Sequence, residues 1–199
     1  MRRDESRQRN RESLMDAAVA EIAGKGYQAA RLEDIAARVD MTTGAIYSIF
    51  GSKRGLLLAA MQRMLAEQLE DLAPLNDPAH SLADVLDGLA ALAYRAATEE
   101  MSGIKVAFQL EALAVGLREP ELMESITRAH ETTDSLASLL TGRQFGESGA
   151  RTTPKQAARL QPAVEAMMTG MSQQVALGPA EVRVEYIAEA MRALIALIA

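Results

Sequence analysis

"MTTGAIYSIFGSKRGL", residues 41–56, is the stretch that decides the fold of this 199-residue chain. Laid on a helix at about 100° per residue, Ile46, Ile49 and Phe50 gather on one side, while Gly44, Tyr47 and Ser48 face roughly opposite. Just before it, Leu32, Ile35, Ala36 and Val39 mark a second short amphipathic helix. So tight a connection between two short helices is a helix-turn-helix. The second helix opens with small, hydrogen-bonding residues and presents no large aliphatic side chain outward. A DNA major groove demands this: little bulk, with hydroxyls and backbone N–H groups that approach bases and phosphates. Tyr47, and Lys53 just past the helix end, are placed for phosphates, which fix register but carry no sequence information. The same pattern also fits an ordinary helical hairpin with a solvated polar face.

Working outward, helix signals dominate the chain. Leu14, Ala18 and Ile22 share a face, and "GKG" (Gly24–Gly26) ends that helix. A long helix is expected from Arg54 to Leu72, stopped by Pro74 and Pro78, and another from Ser81 to Glu100. Gly103 interrupts before "IKVAFQLEALAVGL", and Pro120 opens a helix running to Leu140. "TGRQFGESGARTTP" reads as one long loop. Thr153 and Pro154 then start a helix that Gly178–Pro179 closes, with Pro162 either kinking it or marking its true start. Val184, Ile187, Met191, Leu194, Ile195 and Ile198 line the last helix. Strand alternation is absent, so the class is all-α, with about nine helices.

Composition restricts the chemistry. Without cysteine there are no disulfides, thiolate zinc sites or cysteine nucleophiles, which suits a cytoplasmic location. The charged N-terminus lacks the apolar stretch of a signal peptide, and no apolar run approaches the roughly 20 residues that span a bilayer. The net charge of −6 is uneven: residues 1–55 carry +2 and the remainder −8. Because salt screens exposed charges beyond roughly 8–10 Å, an acidic body does not cancel a basic tip. Arg2, Arg3, Arg7, Arg9 and Arg11 form a basic lead-in, read either as a solvated mobile tail or as an arm that touches phosphate or minor groove.

"RLEDIAARVDMTTGAIYSIFGSKRGLL" resembles the DNA-binding region of the TetR family of bacterial transcriptional regulators. The matching positions are Ile35-Ala36, Thr42, Gly44, Ile46-Tyr47, Phe50, Ser52-Lys53 and Leu56. The resemblance implies a three-helix DNA-reading head, residues 1–53, on a helical body, residues 54–199, that dimerises and binds a small molecule. It would set Thr42, Thr43, Gly44 and Ala45 nearest the bases, beside Ser48, with Tyr47 and Lys53 on the backbone. Three positions depart from the family pattern. Arg31 replaces the usual capping Thr and offers a cation to a phosphate, Asp40 stands at the turn glycine, and Ile49 replaces a frequent His.

In the body, the residues themselves give two further expectations. Flexible, polarisable Met64, Met101, Met123, Met167 and Met171, with Phe108 and the polar Gln109, His130 and Gln174, are candidates to line an effector cavity, although any one of them also serves as core filling. The effector would be apolar or amphipathic. Ala166 and Gly170 permit close helix approach, and the wide apolar arc of Ile187, Met191, Leu194, Ile195 and Ile198 suits a homodimer interface.

No Gly-rich phosphate loop, nucleophile elbow or Rossmann fingerprint occurs, and "HETTD" (His130–Asp134) lacks the second His of a zinc helix. Neither an enzyme, a cofactor nor a metal is expected. The sequence points to a ligand-responsive DNA-binding regulator, in the family's usual mode a repressor released from a palindromic operator. A helical protein-interaction module without DNA binding is the alternative.

Overall fold

The computed structural model describes residues 2–131, 135–146, 149–178 and 182–198, and among these the side chains other than those of 2–3, 126–131 and 135. Ten α-helices account for nearly all regular structure among the described residues: α1 (Arg2–Lys25), α2 (Leu32–Ala37), α3 (Thr43–Phe50), α4 (Lys53–Leu72), α5 (Leu82–Thr98), α6 (Ser102–Arg118), α7 (Pro120–Glu131), α8 (Ser135–Leu140), α9 (Pro154–Leu177) and α10 (Val184–Ala193). Short 3-10 turns follow α4 (Ala73–Asn76) and α10 (Leu194–Leu197). The all-α class holds. The single helix expected from Pro120 to Leu140 is α7 and α8, with 132–134 outside the described residues.

Two compact units form: Met1–Ala66 with Ile104–Glu131, and Glu67–Gly103 with Thr132–Ala199. In the first, Leu14, Ala18 and Ile22 of α1 meet Ile35 and Ala36 of α2, Ile46 of α3, Leu56 and Leu57 of α4, and Phe108 of α6. Each of the Leu, Ile and Phe side chains among them contributes about 1.5–3 kcal/mol when fully buried. In the second, Leu82, Leu86 and Leu89 of α5 pack with Leu139 and Leu140 of α8, Leu160 and Val164 of α9, and Ile187 and Met191 of α10.

The expected helix starts are built as reciprocal caps. Ser81 accepts from the Asp84 backbone N–H while Asp84 accepts at Ser81, and these hydrogen bonds hold the Asp84 carboxyl below its usual range. Thr153 and Gln156 do the same for α9, which starts at Pro154 and runs with Pro162 inside it.

One expectation needs correction. The loop after Leu140 contains an antiparallel hairpin, β1 (Gln144–Phe145) with β2 (Ala150–Arg151). Strands of two residues are too short for alternation to be visible in sequence, and Gly146 supplies the left-handed turn residue. Arg143, at its base, is buried and donates to the carbonyls of Leu75, Asp77, His80 and Leu139. Its guanidinium fastens the α4–α5 connection to the end of α8.

Candidate nucleic-acid interface

Helix α3 is short and needs tertiary support to exist. Ile46 supplies it, fully buried against the first core, and Ile49 and Phe50 pack partly against the same cluster. The opposite face is open: Thr42, Gly44, Ser48 and Tyr47 are exposed, the last by 56%. Thr43 and Ala45 are half-buried. Thr42 is the residue before the helix, and its hydroxyl makes no capping bond. A Cβ added to Gly44 would meet Thr42 Oγ1 at an ordinary 3.5 Å. Among the described residues, no contact requires a glycine there.

The frame around α3 is fixed by chemistry that sequence pattern did not expose. Gly51, at φ 76°, ends α3, and the Ser52 hydroxyl accepts the Gly55 N–H at 2.9 Å to start α4. A Cβ on Gly55 would stand 2.0 Å from the Phe50 carbonyl oxygen, so only glycine allows α4 to begin so close to α3. On the other side Asp40 takes the turn at φ 54°, the left-handed conformation expected of it, and Arg31 precedes α2 without a side-chain cap. What secures α2 instead is Glu21 of α1. Its buried carboxylate meets Lys25 at 2.5 Å and Arg38 at 2.9 Å, and Lys25 reaches Asp34 at 3.0 Å. The Lys25 hydrogen bond, helped by Arg38 and opposed by burial, holds Glu21 below the usual glutamate range. Lys25 is correspondingly raised, chiefly by Glu21 and then Asp34. The Glu21–Lys25 pair is local to α1, but Lys25–Asp34 and Glu21–Arg38 span 9 and 17 residues and give no local sequence signal.

Lys53 is half-buried. Its Nζ lies 4.6 Å from the centroid of the Tyr27 ring and donates to the Gln28 carbonyl at 3.4 Å. Burial pushes its ammonium below the usual lysine range. Arg31 is exposed. The basic lead-in is helical from Arg2, and Arg11 stacks over Phe50 at 5.0 Å.

The expected effector residues fall in both units. In the first, Met64 and Phe108 are core residues, Met123 is half-buried and Gln109 is exposed. In the second, Met167 and Met171 pack partly against the core, while Met101 and Gln174 are exposed. His130 lies in α7, and its side chain is outside the described residues. A polar cleft of about 260 Å³ in the second unit is lined by Asn76, Pro78, Ser138, Thr141, Gly142, Arg143 and Arg151, none of them an expected effector contact. Of the expected dimer residues, Ile187, Met191 and Ile198 are buried within their own unit, Leu194 and Ile195 are half-buried, Ala166 is exposed and Gly170 half-exposed. Among the described residues, no helix is long and apolar enough to cross a membrane.

Residues 14–60 match the family profile described as "Bacterial regulatory proteins, tetR family". No curated protein matches the chain. Among solved structures, the chain is similar to the multidrug binding protein EbrR complexed with imidazole, with 24% identity, 94% of this chain and 89% of that chain covered, and a TM-score of 0.64. A proposed transcriptional regulator of Pseudomonas aeruginosa PAO1 gives 18% identity, 96% and 90% coverage and a TM-score of 0.72. Another, of Saccharomonospora viridis in complex with choline, gives 20%, 95% and 96%, and 0.67. At these identities the likeness is one of fold. The profile match makes residues 14–60, from α1 into α4, similar to the tetR family of bacterial regulatory proteins.

Proposed function

We propose that the chain acts as a homodimeric repressor that grips a palindromic operator through two copies of α3 and lets go when a small apolar or amphipathic molecule binds its body. The observation that carries the DNA half is the division of α3, with Ile46 fully buried and Thr42, Gly44, Tyr47 and Ser48 outward. Thr42, Thr43, Gly44 and Ala45 would read bases, while Tyr47, Lys53 and Arg31 would hold phosphates. Two such helices would enter successive major grooves roughly 34–36 Å apart. The second unit offers the dimer face: Leu177, Tyr186 and Leu197 are exposed on α9, α10 and the turn that follows, beside Ala166 and Gly170.

The effector half draws support from the methionines Met167, Met168 and Met171 on α9 and from EbrR, whose structures carry imidazole and proflavin. A coupling of about 1–3 kcal/mol between the two sites suffices for regulation. The cytoplasm is the location this function requires. The test is binding of the purified protein to duplexes selected from a random-sequence pool, repeated with proflavin and choline as probes. The reading expects a twofold-symmetric selected sequence and weaker binding with at least one probe class. Selection of no duplex sinks it.

A further inference from the structure

The carboxylate of Glu111, on α6, lies against the α1–α2 connection. Its Oε2 accepts the Tyr27 backbone N–H at 3.0 Å, and a Cβ built on Gly26 would come 3.4 Å from the same oxygen. Glu111 is held in register by its own helix, whose neighbouring Phe108, Ala112 and Val115 are buried in the first core. Tyr27 is buried too, and the ring it presents sits beneath the Lys53 ammonium at 4.6 Å. The next carbonyl, of Gln28, accepts from the same ammonium. Residues 26–28 thus form a platform whose backbone is fixed from one side by Glu111 and which cradles Lys53 on the other.

We infer that Glu111 is a positioning residue for DNA binding, acting through the Tyr27 platform to hold Lys53 ready for a backbone phosphate. The inference rests on the proposed DNA-binding function and deepens it. A free lysine must give up the freedom of a long, rotatable side chain when it engages a phosphate. A lysine already seated on a ring and a carbonyl gives up less, which strengthens the contact without adding one. Glu111 itself touches no DNA. Because it rides on α6, a shift of that helix reaches Lys53 through the Tyr27 hydrogen bond and then the ring and carbonyl that hold the ammonium.

The experiment is a double-mutant cycle on the full chain, with binding measured to a random-sequence duplex and to a duplex selected by the wild-type protein. Glu111→Ala should weaken binding to both by about fivefold, within the range seen for contacting residues. It should also make the dependence of log affinity on log salt shallower, as Lys53→Ala does by about one phosphate contact. The double variant should bind like Lys53→Ala alone. Glu111→Gln, whose amide oxygen still accepts from Tyr27, should behave as wild type. Should Glu111→Ala not fold, Glu111→Asp, too short to reach, carries the same cycle. Losses that multiply in the double variant, an unchanged salt slope, or Glu111→Gln as weak as Glu111→Ala overturns the inference while DNA binding stands. A wild-type protein that binds neither duplex overturns the DNA reading itself.

Discussion

Helices α3 and α10 are built alike and expose different faces. Each is short and buries one stripe: Ile46 with Ile49 and Phe50 in α3, Ile187 and Met191 in α10. They differ in what remains outside. Around α3 the outward residues are Thr, Gly, Tyr and Ser, small or hydrogen-bonding groups suited to a polar groove. Around α10 they include Tyr186 and, just beyond, Leu197, with Arg192 paired to Asp87 at 2.6 Å. The buried stripe shows only that a helix belongs to a core. The opposite face says what it meets next.

The comparison breaks most visibly if either stripe is removed. Ile46→Ala and Ile187→Ala should each destabilise the protein by about 2–5 kcal/mol in urea unfolding. Only the first should lower DNA affinity under conditions where both variants remain folded. Gly55→Ala sharpens the contrast within the head. Its Cβ has no room beside the Phe50 carbonyl, so a loss of about 1–3 kcal/mol is expected, together with weakened binding to all duplexes. On the outward faces, Tyr47→Ala and Leu197→Asp should each change stability by no more than about 0.5 kcal/mol. Tyr47→Ala should weaken duplex binding uniformly across sequences, and Leu197→Asp should shift sedimentation towards monomer.

A modest, pH-dependent effect is expected from Glu21→Gln. The half-exposed Lys25 and Arg38 limit the ion pairs to at most about 1 kcal/mol. Because the folded carboxyl titrates below its unfolded value, that contribution is present above the ordinary glutamate range, about 4.3. It disappears as pH falls through the lowered folded value. The stability difference between wild type and Glu21→Gln should therefore shrink on acidification, as followed by unfolding at a series of pH values.

Much of α3 was legible because its information is local: a buried stripe, a small polar face and a turn fit in one short segment. The all-α class and both capped starts, at Ser81 and Thr153, were readable for the same reason. Contacts between distant positions were not. Tyr27 and Glu111 lie 84 residues apart, and nothing near either announces the other. The need for glycine at 55 follows from a carbonyl that only the folded junction brings close. At α10 the wide apolar arc suggested a homodimer interface, and part of that arc is buried within its own unit. It could not apportion that burial, and Ile187 and Met191 turned out to serve their own core.

The central claim is that the outward face of α3 reads duplex DNA. Its most direct measurement is the salt dependence of affinity for a selected duplex and for random competitor, in wild type and Thr43→Val. The account predicts that wild-type affinity falls steeply with salt and favours the selected duplex, and that Thr43→Val reduces that preference by about 1–3 kcal/mol at one position of each half-site. Equal affinity of the wild type for both duplexes, or binding indifferent to salt, would contradict it.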